Sequence, residues 1–211
     1  MSETHPFFEL IRQRCSVERF DPSRSLSDEQ IRELVADASC TPSSFNLQHW
    51  RFLAVTADQD KDDLCAIAFG QEQVKQASVT FVVLGDLQAL DTMPEINRRA
   101  VEQGALPQGK ADAWERLAGG IYGDPALARD EALRSASLAS MTLMLAAEAR
   151  GLASGALSGF DAARLTQEFD LDARYLPVLL IAVGYPLERA EARQPRLEVD
   201  EVLRFGRRSD F

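Results

Sequence analysis

Two rhythms of apolar residues run along this chain, one at helical spacing and one in short unbroken runs, and together they divide it into elements. Ile31, Leu34, Val35 and Ala38 recur at helical spacing behind Ser27-Asp28-Glu29-Gln30. That tetrapeptide reads as a capping box, in which Ser27 satisfies an early backbone N–H and Gln30 reaches back, so a helix is predicted from there to about Cys40. Phe7, Phe8, Leu10 and Ile11 form the apolar side of a shorter helix over residues 6–15. Three runs, Phe52–Val55, Val79–Leu84 and Val178–Val183, read as strands. Their continuous apolar character predicts burial on both faces, as in a sheet held between helices. Residues 126–149 give the longest helix, and its second half, Ala136 to Ala147, is apolar on nearly all sides and so predicted to be central. Gly151 ends it, because glycine accepts the left-handed conformation common just past a helix. Residues 86–124 are more polar and broken by Gly104, Pro107, Gly109, Gly119, Gly120 and Gly123; they are predicted to be mobile helices over a site.

The stretch Pro42-Ser43-Ser44-Phe45-Asn46-Leu47-Gln48-His49-Trp50 follows the second helix and carries the most chemistry. Proline disfavours a helical predecessor, and serine hydroxyls compete for backbone hydrogen bonds, so composition alone favours a simple helix stop. The same residues also gather backbone N–H groups, two hydroxyls and an amide, a surface suited to a ligand rich in oxygen and nitrogen acceptors. His5 and His49 are the only histidines, and neither has a carboxylate or cysteine at metal-ligand spacing, so no metal site is expected. There is no Gly-x-Ser-x-Gly turn for a hydrolase and no Gly-x-Gly-x-x-Gly for a nicotinamide-binding domain.

Length and composition bound the rest. A chain of 211 residues with 45% hydrophobic content supports one substantial core and one domain over residues 1–211. Cys15, Cys40 and Cys65 are odd in number and form no Cys-x-x-Cys pair, which favours reduced thiols. The opening Met-Ser-Glu-Thr-His-Pro does not resemble a signal peptide, and no apolar run approaches the roughly 20 residues of a spanning helix. A cytoplasmic protein away from membranes is expected. The net charge of −10 also disfavours nucleic acid as a partner, which would need an extended basic face. Charge is segregated, however: residues 12–24 hold four arginines against Glu18 and Asp21, and residues 189–208 hold six arginines against four acids. Either end could concentrate positive charge for an anionic ligand, or merely solvate a surface.

Arg14-Cys15-Ser16-Val17-Glu18-Arg19-Phe20-Asp21 belongs beside the Pro-Ser-Ser-x-Asn-x-Gln-x-Trp loop. Phe69-Gly70-Gln71-Glu72-Gln73, Gly155-Ala156-Leu157-Ser158-Gly159-Phe160-Asp161 and a late Arg196-Leu197 follow in order. With these five motifs in register over nearly its whole length, the chain resembles the FMN-dependent nitroreductase family, in a bacterial branch associated with nitro compounds and quinones. The resemblance implies an α+β fold, with a central, mainly antiparallel sheet flanked by helices, in an intertwined homodimer. It implies that Arg14, Cys15 and Ser16 contact the phosphate and ribityl end or the nearby ring edge of FMN, with Arg196 closing over the phosphate. Leu157, Ser158 and Gly159 would lie at the reactive ring edge, where a backbone N–H can donate to N5, and Gln73 would stand near the ring. Pro42, Ser43, Ser44 and Asn46 would come from the partner subunit, while Phe45 and His49 would face substrate. NADH or NADPH would act as a transient reductant, and a small electron-poor aromatic or quinone as acceptor. Glu18 and Gln73 depart from branches that place cations there, which keeps open a flavin carrier or sensor as the second reading.

Overall fold

The structure, a computed structural model, describes residues 5–188 and 193–206. Its centre is a four-stranded sheet of β1 (Trp50–Val55), β2 (Val79–Asp86), β3 (Ala153–Leu157) and β4 (Tyr175–Gly184), in the order β1-β2-β4-β3. Every neighbouring pair is antiparallel. Both faces of the two central strands are covered. Side chains alternate across the pleat, so Phe81, Val83, Ile181 and Val183 enter one core while Val82, Leu84, Leu180 and Ala182 enter another. The first core is closed by α2 (Asp28–Ala38) and α7 (Pro125–Ala149), the second by α3 (Asp58–Ile67), α4 (Gln73–Gln76) and α8 (Ala162–Glu168). This accounts for strands that are apolar throughout rather than at alternate positions.

The capping box forms as predicted: Gln30 N–H donates to Ser27 Oγ at 3.2 Å, and Ser27 N–H donates to Gln30 Oε1 at 2.9 Å. The first helix, α1 (Pro6–Gln13), stops two residues before its predicted end. Arg14 is already extended (φ −55°, ψ 121°), and the chain then runs beside β3, with Val17 N–H donating to the Ser154 carbonyl at 3.1 Å.

The long helix is central on one side only. Ala136, Ala139, Leu143 and Ala147 are buried against the sheet, but Leu138 and Met141 remain 48% and 39% exposed. Leu127 shares their stripe, 11 and 14 residues away, close to whole turns of 3.6 residues. The broken segment 86–124 folds into α5 (Met93–Glu102) and α6 (Gln108–Tyr122). These helices share a small separate core of Leu47, Ala89, Met93 and Ala118, walled by Phe45, Trp114 and Tyr122. No helix among the described residues is long and apolar enough to cross a membrane.

Candidate functional site

The first group of predicted residues gathers along β3. Ser16 forms a parallel bridge with Ser154, and a Cβ on Gly155 would stand 2.6 Å from the Val17 carbonyl oxygen, so only glycine lets the two segments lie this close. Arg14 Nη1 and Ser154 Oγ are both buried and make no hydrogen bond to the described residues. Buried polar atoms without partners are uncommon because each costs about 1–3 kcal/mol. Cys15 lines a small cavity of about 190 Å³ with Val17, Glu148, Leu152 and Pro186, and Ser16 is exposed beside it. Arg193 donates to the Ile11 and Arg12 carbonyls at 3.3 and 3.4 Å, which brings the basic tail against the end of α1. Arg196 lies three residues further on, exposed, and among the described residues bonds only the neighbouring Gln194 and Pro195 carbonyls.

At the other end of β3, Leu157 is buried while Ser158 and Gly159 emerge at the surface. Gln71 Nε2 holds the Gly159 carbonyl at 2.7 Å, and Gln73 Nε2 reaches Gln71 Oε1 at 3.4 Å, so the glutamine motif braces this corner. A Cβ at Gly159 would meet nothing closer than Gln71 Nε2 at 3.5 Å; the chain's own packing does not demand glycine there. Glu18 is exposed, and Arg19 turns outward to Glu188 at 3.6 Å.

The second group forms a strained turn before β1. Phe45, Asn46 and Gln48 have φ of 51°, 56° and 51°, the left-handed region that non-glycine residues enter only when their surroundings hold them. Those surroundings can be named. Ser43 Oγ accepts from the Gln48 N–H at 2.9 Å, and Tyr122 Oη lies 2.7 Å from Ser44 Oγ. Phe45 stands edge-on to Trp114 and Tyr122, with ring centroids at 5.8 and 6.3 Å. Pro42 and Asn46 are exposed. His49 is 2% exposed and lies behind Tyr122, ring centroids 5.9 Å apart, rather than at an open surface. Its Nδ1 has no hydrogen-bond partner among the described residues, and burial pushes the imidazole pKa below its ordinary 6.5, against an opposing pull from Glu131 and Asp86.

The exit of the turn is clamped by a group that sequence reading missed. Asp86, fully buried at the end of β2, takes Arg51 Nη2 at 2.7 Å and Arg174 at 2.6 and 2.9 Å. Arg51 Nη1 in turn donates to the Gln48 and Trp50 carbonyls, both at 2.8 Å. No local pattern signals this, because Arg174 lies 88 residues from Asp86 and each residue alone looks like an ordinary strand or loop charge.

The two groups lie diagonally across the sheet. β3 and β1 are its opposite edges, three interstrand steps or roughly 14 Å apart. Register also sets the Ser16–Ser154 corner and the turn at opposite ends. Ala153 pairs with Gly184 and Val79 with Val183, whereas Trp50 pairs with Gly85, which in turn pairs with Leu176. One chain therefore does not bring Arg14 and Asn46 around a common cavity. Among the described residues there is no cluster of three or more His, Cys, Asp or Glu able to hold a metal.

This fold and these two motif corners define a class. Residues 11–185 match the model for the nitroreductase family, and the chain belongs to that family. It is 34% identical to "Putative NAD(P)H nitroreductase YodC" of Bacillus subtilis over 92% of this chain and 96% of that one. It is 29% identical to the "CLA biosynthesis enone reductase" of Lactiplantibacillus plantarum over 81% of each chain. A solved structure from Exiguobacterium sibiricum, a "putative nitroreductase in complex with FMN", superposes with a TM-score of 0.89 at 30% identity, covering 98% of this chain and 99% of that one.

Proposed function

We propose that the chain is an FMN-dependent NAD(P)H oxidoreductase that acts in the cytoplasm as a homodimer and reduces nitroaromatics, quinones or similar electron-poor conjugated molecules. The observation that carries this reading is the diagonal separation of the two motif corners. Each is well formed, and neither closes a site without a second copy.

The residues present fit an anionic, ring-bearing cofactor. Arg14 has a buried nitrogen in need of an acceptor, Ser16 is open beside it, and Arg193 brings the basic tail against the end of α1. In the proposed arrangement Arg14, Cys15 and Ser16 hold the phosphate and ribityl end, and Arg196 closes over the phosphate. Leu157, Ser158 and Gly159 line the reactive ring edge with Gln73 beside them, and the Gly159 N–H, which makes no bond to the described residues, is free to donate. Pro42, Ser43, Ser44 and Asn46 of the second copy cover the ring, Phe45 walls the substrate space, and His49 supports that wall from behind Tyr122. FMN held there would supply the hydride-transfer chemistry that links NAD(P)H to the acceptor. The protein's task is to bind, to orient and to exclude water, so no acid or nucleophile of its own is required.

Dimerisation is supported by apolar surface left without cover. Leu127, Leu138 and Met141 form a stripe on α7, Phe7 and Phe8 are about half exposed, and Leu197, Val199, Leu203 and Phe205 stand out from the tail. Burying such surface contributes about 25 cal/mol per Å². The free thiols at Cys15, Cys40 and Cys65 agree with a reducing compartment.

The experiment has two parts. The purified protein should be yellow, release FMN rather than FAD on heating, bleach anaerobically with NADH or NADPH, and regain colour with a quinone. Sedimentation should give a dimer, and Met141→Arg should lose dimer and flavin together. A monomer with stoichiometric FMN would overturn the shared site, and bleaching without reoxidation would favour a flavin carrier.

A further inference from the structure

One cavity lies between the strained turn and α5, and most of its wall comes from residues outside the two motifs. It measures about 400 Å³, a size suited to a small ring-bearing molecule. One wall is a single face of α5 and the residue before it: Thr92, Ile96, Arg99, Ala100 and Gln103 recur at helical spacing. The opposite wall is Asn46 and Gln48 of the turn with Arg51 of β1. The lining therefore has two guanidiniums, three side-chain amides and a hydroxyl, and no carboxylate, in a chain of net charge −10.

The two arginines differ in what they can offer. Arg51 is locked by Asp86 and by the Gln48 and Trp50 carbonyls, so it forms a stationary positive wall. Arg99 spends only Nε, on Glu95 at 2.7 Å, and neither Nη nitrogen bonds a described residue. The side-chain amides of Asn46 and Gln103 are likewise unbonded, and Gln103 lies one turn beyond Arg99 on the same helix face. A forked guanidinium with its outer edge free, flanked by amide donors, suits a phosphate or carboxylate.

We propose that this cavity receives the anionic group, phosphate or carboxylate, of a molecule that reacts beside the neighbouring turn, with Arg99 as the residue that recognises it. The inference rests on the oxidoreductase reading and deepens it, since it makes α5 the source of selectivity among reductants or acceptors. Two sources can carry the anion: the extra phosphate that distinguishes NADPH from NADH, or an acid group on an aromatic acceptor.

The test compares FMN-loaded wild type with Arg99→Ala, an exposed position whose loss should leave folding and flavin content unchanged. Reductive half-reactions are followed with NADPH and NADH, and oxidative half-reactions with 4-nitrobenzoate and its neutral counterpart 4-nitrobenzamide. In one pair, the second-order rate constant for the more anionic member should fall about tenfold, through weaker binding and with the limiting rate unchanged. Divergence of NADPH from NADH assigns the phosphate, and divergence of nitrobenzoate from nitrobenzamide assigns the carboxylate. No divergence in either pair, or an equal fall for all four molecules, overturns the proposal. A protein that takes up no FMN, or whose flavin neither nicotinamide bleaches, instead defeats the oxidoreductase reading. Calorimetric titration with 4-nitrobenzoate would then still ask whether the cavity binds an anion that Arg99→Ala releases.

Discussion

The two corners of the sheet that carry the family motifs are built on opposite principles. At the β3 edge the backbone is tightly placed, by the Ser16–Ser154 bridge and the close approach at Gly155, while side-chain polarity is left unspent on Arg14 and Ser154. At the β1 edge three left-handed residues are held by hydrogen bonds donated to Ser43 and Ser44, by an aromatic cluster and by a buried carboxylate between two arginines. One corner leaves buried polar atoms without partners among the described residues. The other is finished in advance, and the difference teaches that charge complementarity and shape are supplied here by separate parts of the chain.

The comparison breaks most visibly at Asp86. Asp86→Ala leaves two guanidiniums facing each other without their shared partner, a change expected to cost about 3–5 kcal/mol. Because the corner is held by its own bonds, the loss in denaturant midpoint should be similar with and without added FMN. A loss confined to the flavin-free protein would mean that ligand, not the clamp, holds the turn. Arg14→Met should behave in the opposite way. It removes a buried nitrogen that has no partner among the described residues, so the flavin-free protein should melt at the same or a higher temperature. FMN affinity should fall by about 1.5–3 kcal/mol, the range for a hydrogen bond to a charged group. Equilibrium dialysis of flavin beside thermal melts would decide it, and a destabilised flavin-free variant would show that Arg14 serves the fold instead.

The smallest expected effect is on pH. Burial lowers the His49 pKa below the 6.5 it would have in the unfolded chain. As pH falls through 6.5 toward that lower value, the unfolded chain takes up a proton that the folded one resists, so stability declines over that window. Above 6.5 both states hold the neutral ring and the contribution is flat. Urea midpoints at successive pH values should show the decline in wild type and a shallower one in His49→Phe.

What could be read from the sequence was whatever is written locally. The capping box at Ser27 and Gln30 and the three apolar strands each declare themselves within a few residues. β3 did not, because Ala-Ser-Gly-Ala-Leu has no β-branched or aromatic residue; its small side chains serve the approach of Val17, a contact more than a hundred residues away in sequence. α3 begins with four acids in six residues and has no clear apolar stripe, and its buried apolar positions, Leu64, Cys65 and Ile67, come only in its second half. The same holds at the site. The motif residues were legible by resemblance, whereas the Arg51–Asp86–Arg174 clamp and the burial of His49 beneath Tyr122 exist only once distant segments meet.

The helices over the turn have their own small core, Leu47, Ala89, Met93 and Ala118 with a rim of Phe45, Trp114 and Tyr122, apart from the two that flank the sheet. That partition gives the molecule two nearly independent ledgers of tolerated change. Substitutions that recut the roof above the turn draw on a handful of contacts, while the sheet keeps the interactions that let the chain fold. A lineage built this way can drift in what it admits without renegotiating its scaffold, so libraries confined to residues 89–122 should yield many folded variants that differ in preference rather than in survival.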